Sequence, residues 1–171
     1  IASLFKIDYP NEIHVSFVSD KKTDHSISAA AYTEDFALIG RISSVSNHSD
    51  LENALSYTYI TNENDQSEFK RNELFINLKT LVENFENVGF VLIVVTSPSN
   101  VLLQGQKISI QIDNSTSHIP LLTFRPKKIE RCTAWMPIIL HKNNDQFDII
   151  TMEKYFESPK LIDLGRGSGK S

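Results

Sequence analysis

The sequence predicts an all-β chain, a two-sheet β-sandwich of about eight to ten strands with one short helical segment. Three observations carry this. Short runs of alternating polarity recur from one end of the chain to the other. Turn-forming residues separate them. Helical spacing of apolar residues is confined to a single stretch.

The elements follow in order. "IHVSFV" (13–18) alternates Ile13, Val15 and Phe17 against His14 and Ser16, the period of a half-buried strand. "ISAAAYT" follows, then "FALIGRIS" (36–43) and "ALSYTYI" (54–60). A polar loop, "TNENDQSEFKRN" (61–72), leads to "ELFINL" (73–78). In "LKTLVENFEN" (78–87), Leu78, Leu81, Val82 and Phe85 have i, i+3, i+4, i+7 spacing, which predicts a short helix. "GFVLIVVT" (89–96) is β-branched and apolar on both faces, as a fully buried strand would be, and Gly89 and Pro98 bound it. "KISIQI" (107–112) puts Ile108, Ile110 and Ile112 on one side. "IPLLTF" (119–124), "TAWMPIIL" (133–140) and "FDIITM" (147–152) complete the set, with Trp135 expected in the core. The simplest division is an N-terminal extension (1–11), one sandwich domain (12–158) and a flexible tail (159–171).

Composition narrows the function classes. With 171 residues the chain can bury a sizeable core. A net charge of −4 gives no electrostatic reason to expect nucleic-acid binding. No apolar run reaches the length of a membrane span, and the start lacks the pattern of a signal peptide. The first residue is Ile1, so the chain reads as trimmed or as one domain of a longer protein. Cys132 is the single cysteine, which excludes an internal disulfide and multi-thiolate zinc sites. That fits a reducing compartment, and a cytoplasmic location is expected.

Most apparent motifs have plain readings. "LGRGSGKS" (164–171) has Leu164 where a phosphate loop needs its first Gly, so it reads as a linker. The histidines His14, His25, His48, His118 and His141 show no metal-site spacing and read as surface or loop residues. Cys132 reads as a core or half-buried thiol. "NHS" (47–49) and "NST" (114–116) are sequons by pattern and matter only in a secreted protein. No serine sits in a strand–turn–helix nucleophile elbow.

Three oxygen-rich segments stand apart. Asp24, Ser26 and Ser28 alternate along one strand. Asn47, Asp50 and Glu52 form a second group, and Glu63, Asp65 and Glu68 a third. Calcium takes about six to eight oxygens, often from several loops. Loops are also rich in Asn, Asp and Ser because these residues satisfy turn backbone. Spacing alone leaves both readings open.

The order of "SISAAAY", "SNHSDLENALSYT", "NELFINLKTLVENFENVGFVLIVVT", "ISIQIDNSTSHIPLLTF" and "TAWMPIILHKNNDQFDIITMEKYF" resembles the TerD family of tellurium-resistance and stress-response proteins. The resemblance runs from about Val15 to Phe156. It implies a β-sandwich and calcium binding through acidic loops, without catalytic chemistry. At the metal-binding strand the family usually carries Asp-Leu-Asp-Ala-Ser, and the matching residues here are Ser26, Ile27, Ser28, Ala29 and Ala30. The family's Asn-Asn pair falls on Ser46 and Asn47, and its acidic run falls near "SEFKRNE", which contains Lys70 and Arg71. Exchanging carboxylates for neutral hydroxyls removes the charge that tunes calcium affinity. The expectation is therefore a degenerate or weakened calcium site, with Asp24, Ser26, Ser28, Asn47, Asp65 and Glu68 as its remaining candidate ligands. The expected function is a non-enzymatic binding or assembly module with protein partners. The alternatives are a carbohydrate-binding or adhesion sandwich, with Tyr32, Tyr57 and Tyr59 as candidate aromatics, and a cation-dependent enzyme.

Overall fold

A computed structural model describes residues 3–8, 12–20, 25–45, 47–60, 69–96, 109–114, 119–124, 134–144 and 146–156. The strands are β1 (Ser3–Asp8), β2 (Glu12–Asp20), β3 (Ser26–Thr33), β4 (Leu38–Ser43), β5 (Ser49–Asp50), β6 (Leu55–Ile60), β7 (Phe69–Asn77), β8 (Val88–Thr96), β9 (Ser109–Asn114), β10 (Ile119–Phe124), β11 (Ala134–Asn143) and β12 (Gln146–Phe156). Between β7 and β8 lies the helix α1 (Leu78–Asn84). The first sheet has the order β1-β12-β11-β8-β3-β4, and the second has the order β10-β9-β2-β7-β6-β5. Neighbouring strands pair antiparallel throughout, for example β2 with β7 and β3 with β8.

The predicted sandwich is present, with two strands beyond the expected set. β1, placed by sequence in an extension, pairs along its length with β12, from Ser3 opposite Thr151 to Asp8 opposite Gln146. β5 has two residues and pairs only Ser49 with Ser56 and Asp50 with Leu55. A two-residue strand has no readable period, and β1 depends on a partner from the far end of the chain.

The core follows from the alternation. From the first sheet come Ile27, Ala29 and Ala31, Val91, Ile93 and Val95, Ile138 and Leu140, Phe147 and Ile149. Facing them are Ile13, Val15 and Phe17, Leu74 and Ile76, and Leu55 of the second sheet. Each of the Val, Leu, Ile and Phe side chains among them contributes about 1.5–3 kcal/mol when fully buried. Trp135 is the core anchor expected of it, at 2% exposure. Trp135 and Ile138 both face inward although three positions apart. The register of β11 shifts against both neighbours between these residues, where Pro137 lacks the N–H a regular ladder needs.

α1 closes one end. Asn77 Oδ1 accepts from Thr80 N at 3.0 Å, which caps the first turn, and Leu78 and Leu81 bury its apolar side. The helix ends where Phe85 N donates to Leu81 O at 2.9 Å.

Candidate functional site

The predicted site residues divide into two groups. Asp24, Asp65 and Glu68 lie outside the described residues, as do Ser46 and Glu63. Their flanking strand ends share one end of the sandwich. Asp20 is opposite Phe69 and Ile60 is opposite Arg71, while Ser26 begins β3 beside Thr96, the end of β8. His25, the residue before Ser26, packs edge-on against the Phe17 ring of the second sheet, with centroids 6.2 Å apart.

Ser26, Ser28 and Asn47 are described, and each is held by the fold itself. Ser26 and Ser28 lie on the outer side of β3, because Ile27 and Ala29 between and beside them face the core. The Ser26 hydroxyl is hydrogen-bonded to the Thr96 hydroxyl. Ser28 is only 8% exposed, and its hydroxyl donates to Val94 O at 3.5 Å. Asn47 lies beside the end of β4, where its carbonyl accepts from Ser43 N at 2.8 Å and its side-chain amide donates to Arg41 O at 3.0 Å.

Asp50 has the same kind of role as Asn47. One carboxylate oxygen accepts from Arg41 N at 2.9 Å and the other from Leu51 N at 2.8 Å. Asn47 and Asp50 thus occupy outward backbone groups of Arg41 and Ser43 on β4, the edge strand of the first sheet, and shield that part of the edge from pairing with another chain. Glu52 accepts from the Asn84 side chain at 2.7 Å. Leu51, Glu52 and Asn53 have φ of 53, 55 and 65, a left-handed turn that brings Leu51 over Gly40. The signal for this closure in sequence is Gly40 within an apolar strand, a mark of close approach.

These contacts set what the described residues could offer a cation. They offer two neutral hydroxyls bonded within the sheet, a carboxamide whose N–H group donates to a carbonyl, and a carboxylate that accepts from two backbone N–H groups. Among the described residues no group of three His, Cys, Asp or Glu is placed to hold a metal ion.

Other candidates resolve as follows. His25 lies in the connection before β3 but is only 5% exposed, and His14 and His141 are half-buried on strands, so the last two depart from the expected surface or loop placement. His14 lies flat on Phe75, with centroids 4.6 Å apart, and its Nε2 is 3.1 Å from Glu73 Oε1. His118 and Cys132 lie outside the described residues. Tyr57 donates its hydroxyl to Asn72 Oδ1, and the His48 ring tilts against it at 4.9 Å. Burial, and then the neighbouring Tyr59, raise the Tyr57 hydroxyl above its usual range. Tyr32 is buried and Tyr57 half-buried, so the three tyrosines form no exposed row. No described helix is long and apolar enough to cross a membrane.

The class so defined is an all-β, two-sheet sandwich whose described hydroxyl and amide groups complete its own sheets. No protein-family profile matches the chain, and no curated protein matches it. Solved structures do share the fold. One is a homologue of telluride resistance protein (TerD), SCO6318 from Streptomyces coelicolor A3(2), with a TM-score of 0.70 and 11% identity over 90% of this chain and 94% of that one. Another is SAV2460, a protein of unknown function, with a TM-score of 0.70 and 10% identity over 95% of this chain and 99% of that one. The chain therefore has the fold of a TerD homologue along most of its length.

Proposed function

We propose that the chain is a divergent TerD-like domain acting as a non-enzymatic binding and assembly module, associated with stress response or tellurite resistance. Its calcium site is degenerate or weakened. The carrying observation is the placement of Ser26 and Ser28 on β3, in a chain with the fold of a TerD homologue. Their hydroxyls bond to Thr96 and Val94 and bring no negative charge. Asp24, Asp65 and Glu68 supply whatever cation affinity remains, from connections whose flanking strand ends lie together. Function then rests on the protein's surface and its contacts with other proteins.

Calorimetric titration of the EDTA-stripped full chain with CaCl₂ tests this. The expected result is no saturating heat below about 1 mM calcium. A dissociation constant of about 10 μM or tighter would place the chain among calcium sensors and overturn the proposal.

A further inference from the structure

At the end of the first sheet away from Ser26 and Thr96, residues 34–37 turn over the start of β8. Gly89 permits this approach, since a Cβ there would stand 2.8 Å from Glu34 N and 3.0 Å from Glu34 Cα. The turn is tightly bonded. Phe36 N donates to Thr33 O at 2.9 Å, and Thr33 N donates to Ala37 O at 2.9 Å. Ala37 N donates to Thr33 Oγ1 at 3.0 Å.

Phe36 sits in this turn at φ 62, a conformation that suits Gly or Asn and disfavours a bulky side chain. Its ring stacks on Phe90 at 4.7 Å and 12°, and Phe90 stacks on His141 at 4.5 Å and 11°. Glu34 Oε1, 3.3 Å from His141 Nε2, ties the turn to the far end of this column of rings. The simplest reading is that Phe36 shields Phe90. Shielding accounts for one side of the ring, yet Phe36 remains 49% exposed and its neighbour Leu38 36% exposed. A strained backbone position is held, and its product is an aromatic ring presented to solvent.

The surroundings are acidic. Glu34, Asp35 and Glu86 are exposed, and Glu86 lies two residues before Val88, the strand partner of Thr33. Lys142, next to His141, is half-buried, and Asp148, the strand partner of His141, is buried. We propose that this tip is a docking surface for a basic segment of a protein partner, with an arginine side chain stacked on the open face of Phe36 and facing Glu34 and Asp35. A guanidinium is planar and permanently charged, so it suits both an aromatic face and adjacent carboxylates. A second copy of this chain would set like carboxylates against each other, in a chain whose net charge is already −4. Anionic lipid headgroups would be repelled in the same way.

The inference rests on the reading of the domain as a binding module and deepens it. Its test is an NMR amide titration of the full chain with a hexa-arginine peptide and, separately, a hexa-lysine peptide of equal charge. Shifts should concentrate on Thr33–Leu38 and Phe90, with the lysine peptide roughly two- to fivefold weaker. Phe36→Asn should abolish the preference for arginine without lowering the melting temperature, because Asn tolerates this backbone conformation. Phe36→Tyr should keep the preference. Asp35→Asn should weaken both peptides equally. Equal affinity for the two peptides, an unchanged Phe36→Asn variant, or Phe36-dependent dimerisation in sedimentation would each overturn the proposal. Shifts on another face would also overturn it, while sparing the binding-module reading. That broader reading fails on different results, namely tight calcium binding or enzymatic turnover.

Discussion

Ser28→Asp restores a carboxylate at a position where the resemblance places one, and the structure gives its cost. Ser28 is 8% exposed and its hydroxyl donates to Val94 O. An ionised carboxylate there faces the Val94 carbonyl oxygen to which the serine hydroxyl now donates. Burial pushes the new carboxyl's folded pKa above the unfolded value of about 3.9. A rise of about three pH units corresponds to about 4 kcal/mol of lost stability at neutral pH. The sign follows from the raised folded pKa. The penalty is absent below the unfolded pKa, grows as pH rises through the folded pKa, and is constant above it. Urea unfolding followed by Trp135 fluorescence is the assay, because Trp135 is the single tryptophan and is buried. The expected loss is about 3–4 kcal/mol at pH 7, shrinking below about 1 kcal/mol at pH 4. Ser28→Ala should stay within about 0.5 kcal/mol of the wild type, since its hydrogen bond is long. Calcium at 5 mM, an assay concentration of about five times the expected affinity limit, should not rescue Ser28→Asp. Rescue by calcium, or a carboxylate tolerated without calcium, would refute the reasoning.

Two further predictions come from packing and burial. Gly40→Ala places a Cβ 2.6 Å from Leu51 Cγ and 2.8 Å from Asp50 Oδ2, so it should cost about 1–3 kcal/mol in urea unfolding. Adding Leu51→Ala should recover part of that cost in a double-mutant cycle, and strict additivity would argue against the contact. Tyr57 should titrate later than an exposed tyrosine in absorbance at high pH, because burial raises its pKa above 10.0. Its contribution to stability should be complete below about pH 10 and lost as pH rises through the folded pKa, and Tyr57→Phe should remove this alkaline component.

The strands were legible because their inward faces alternate. β2 and β8 could be read from Ile13, Val15 and Phe17 and from the run Val91–Val95, with errors of a residue or two at their ends. β1 and β5 were not legible, since one is defined by pairing with β12 and the other by two residues. The polar side of β3 was visible in sequence, but the partners of its hydroxyls were not. Thr96 is 70 residues from Ser26, and Val94 is 66 residues from Ser28. Asn47 and Asp50 read equally well as cation ligands or as turn residues, and only the position of the β4 edge separates the two. The tip was missed for the same reason of distance, as Glu34 and His141 meet across 107 residues.

The measurement that tests the central claim most directly is a thermal melt of EDTA-stripped protein with and without 1 mM CaCl₂. A cation that saturates the folded state 100-fold adds about 2.7 kcal/mol, a shift of roughly 5–10 °C for a chain of this size. A sandwich whose β3 hydroxyls complete its own sheet should shift by less than about 2 °C. A rise of more than about 5 °C would contradict that account and return Asp24, Asp65 and Glu68 to a working calcium site.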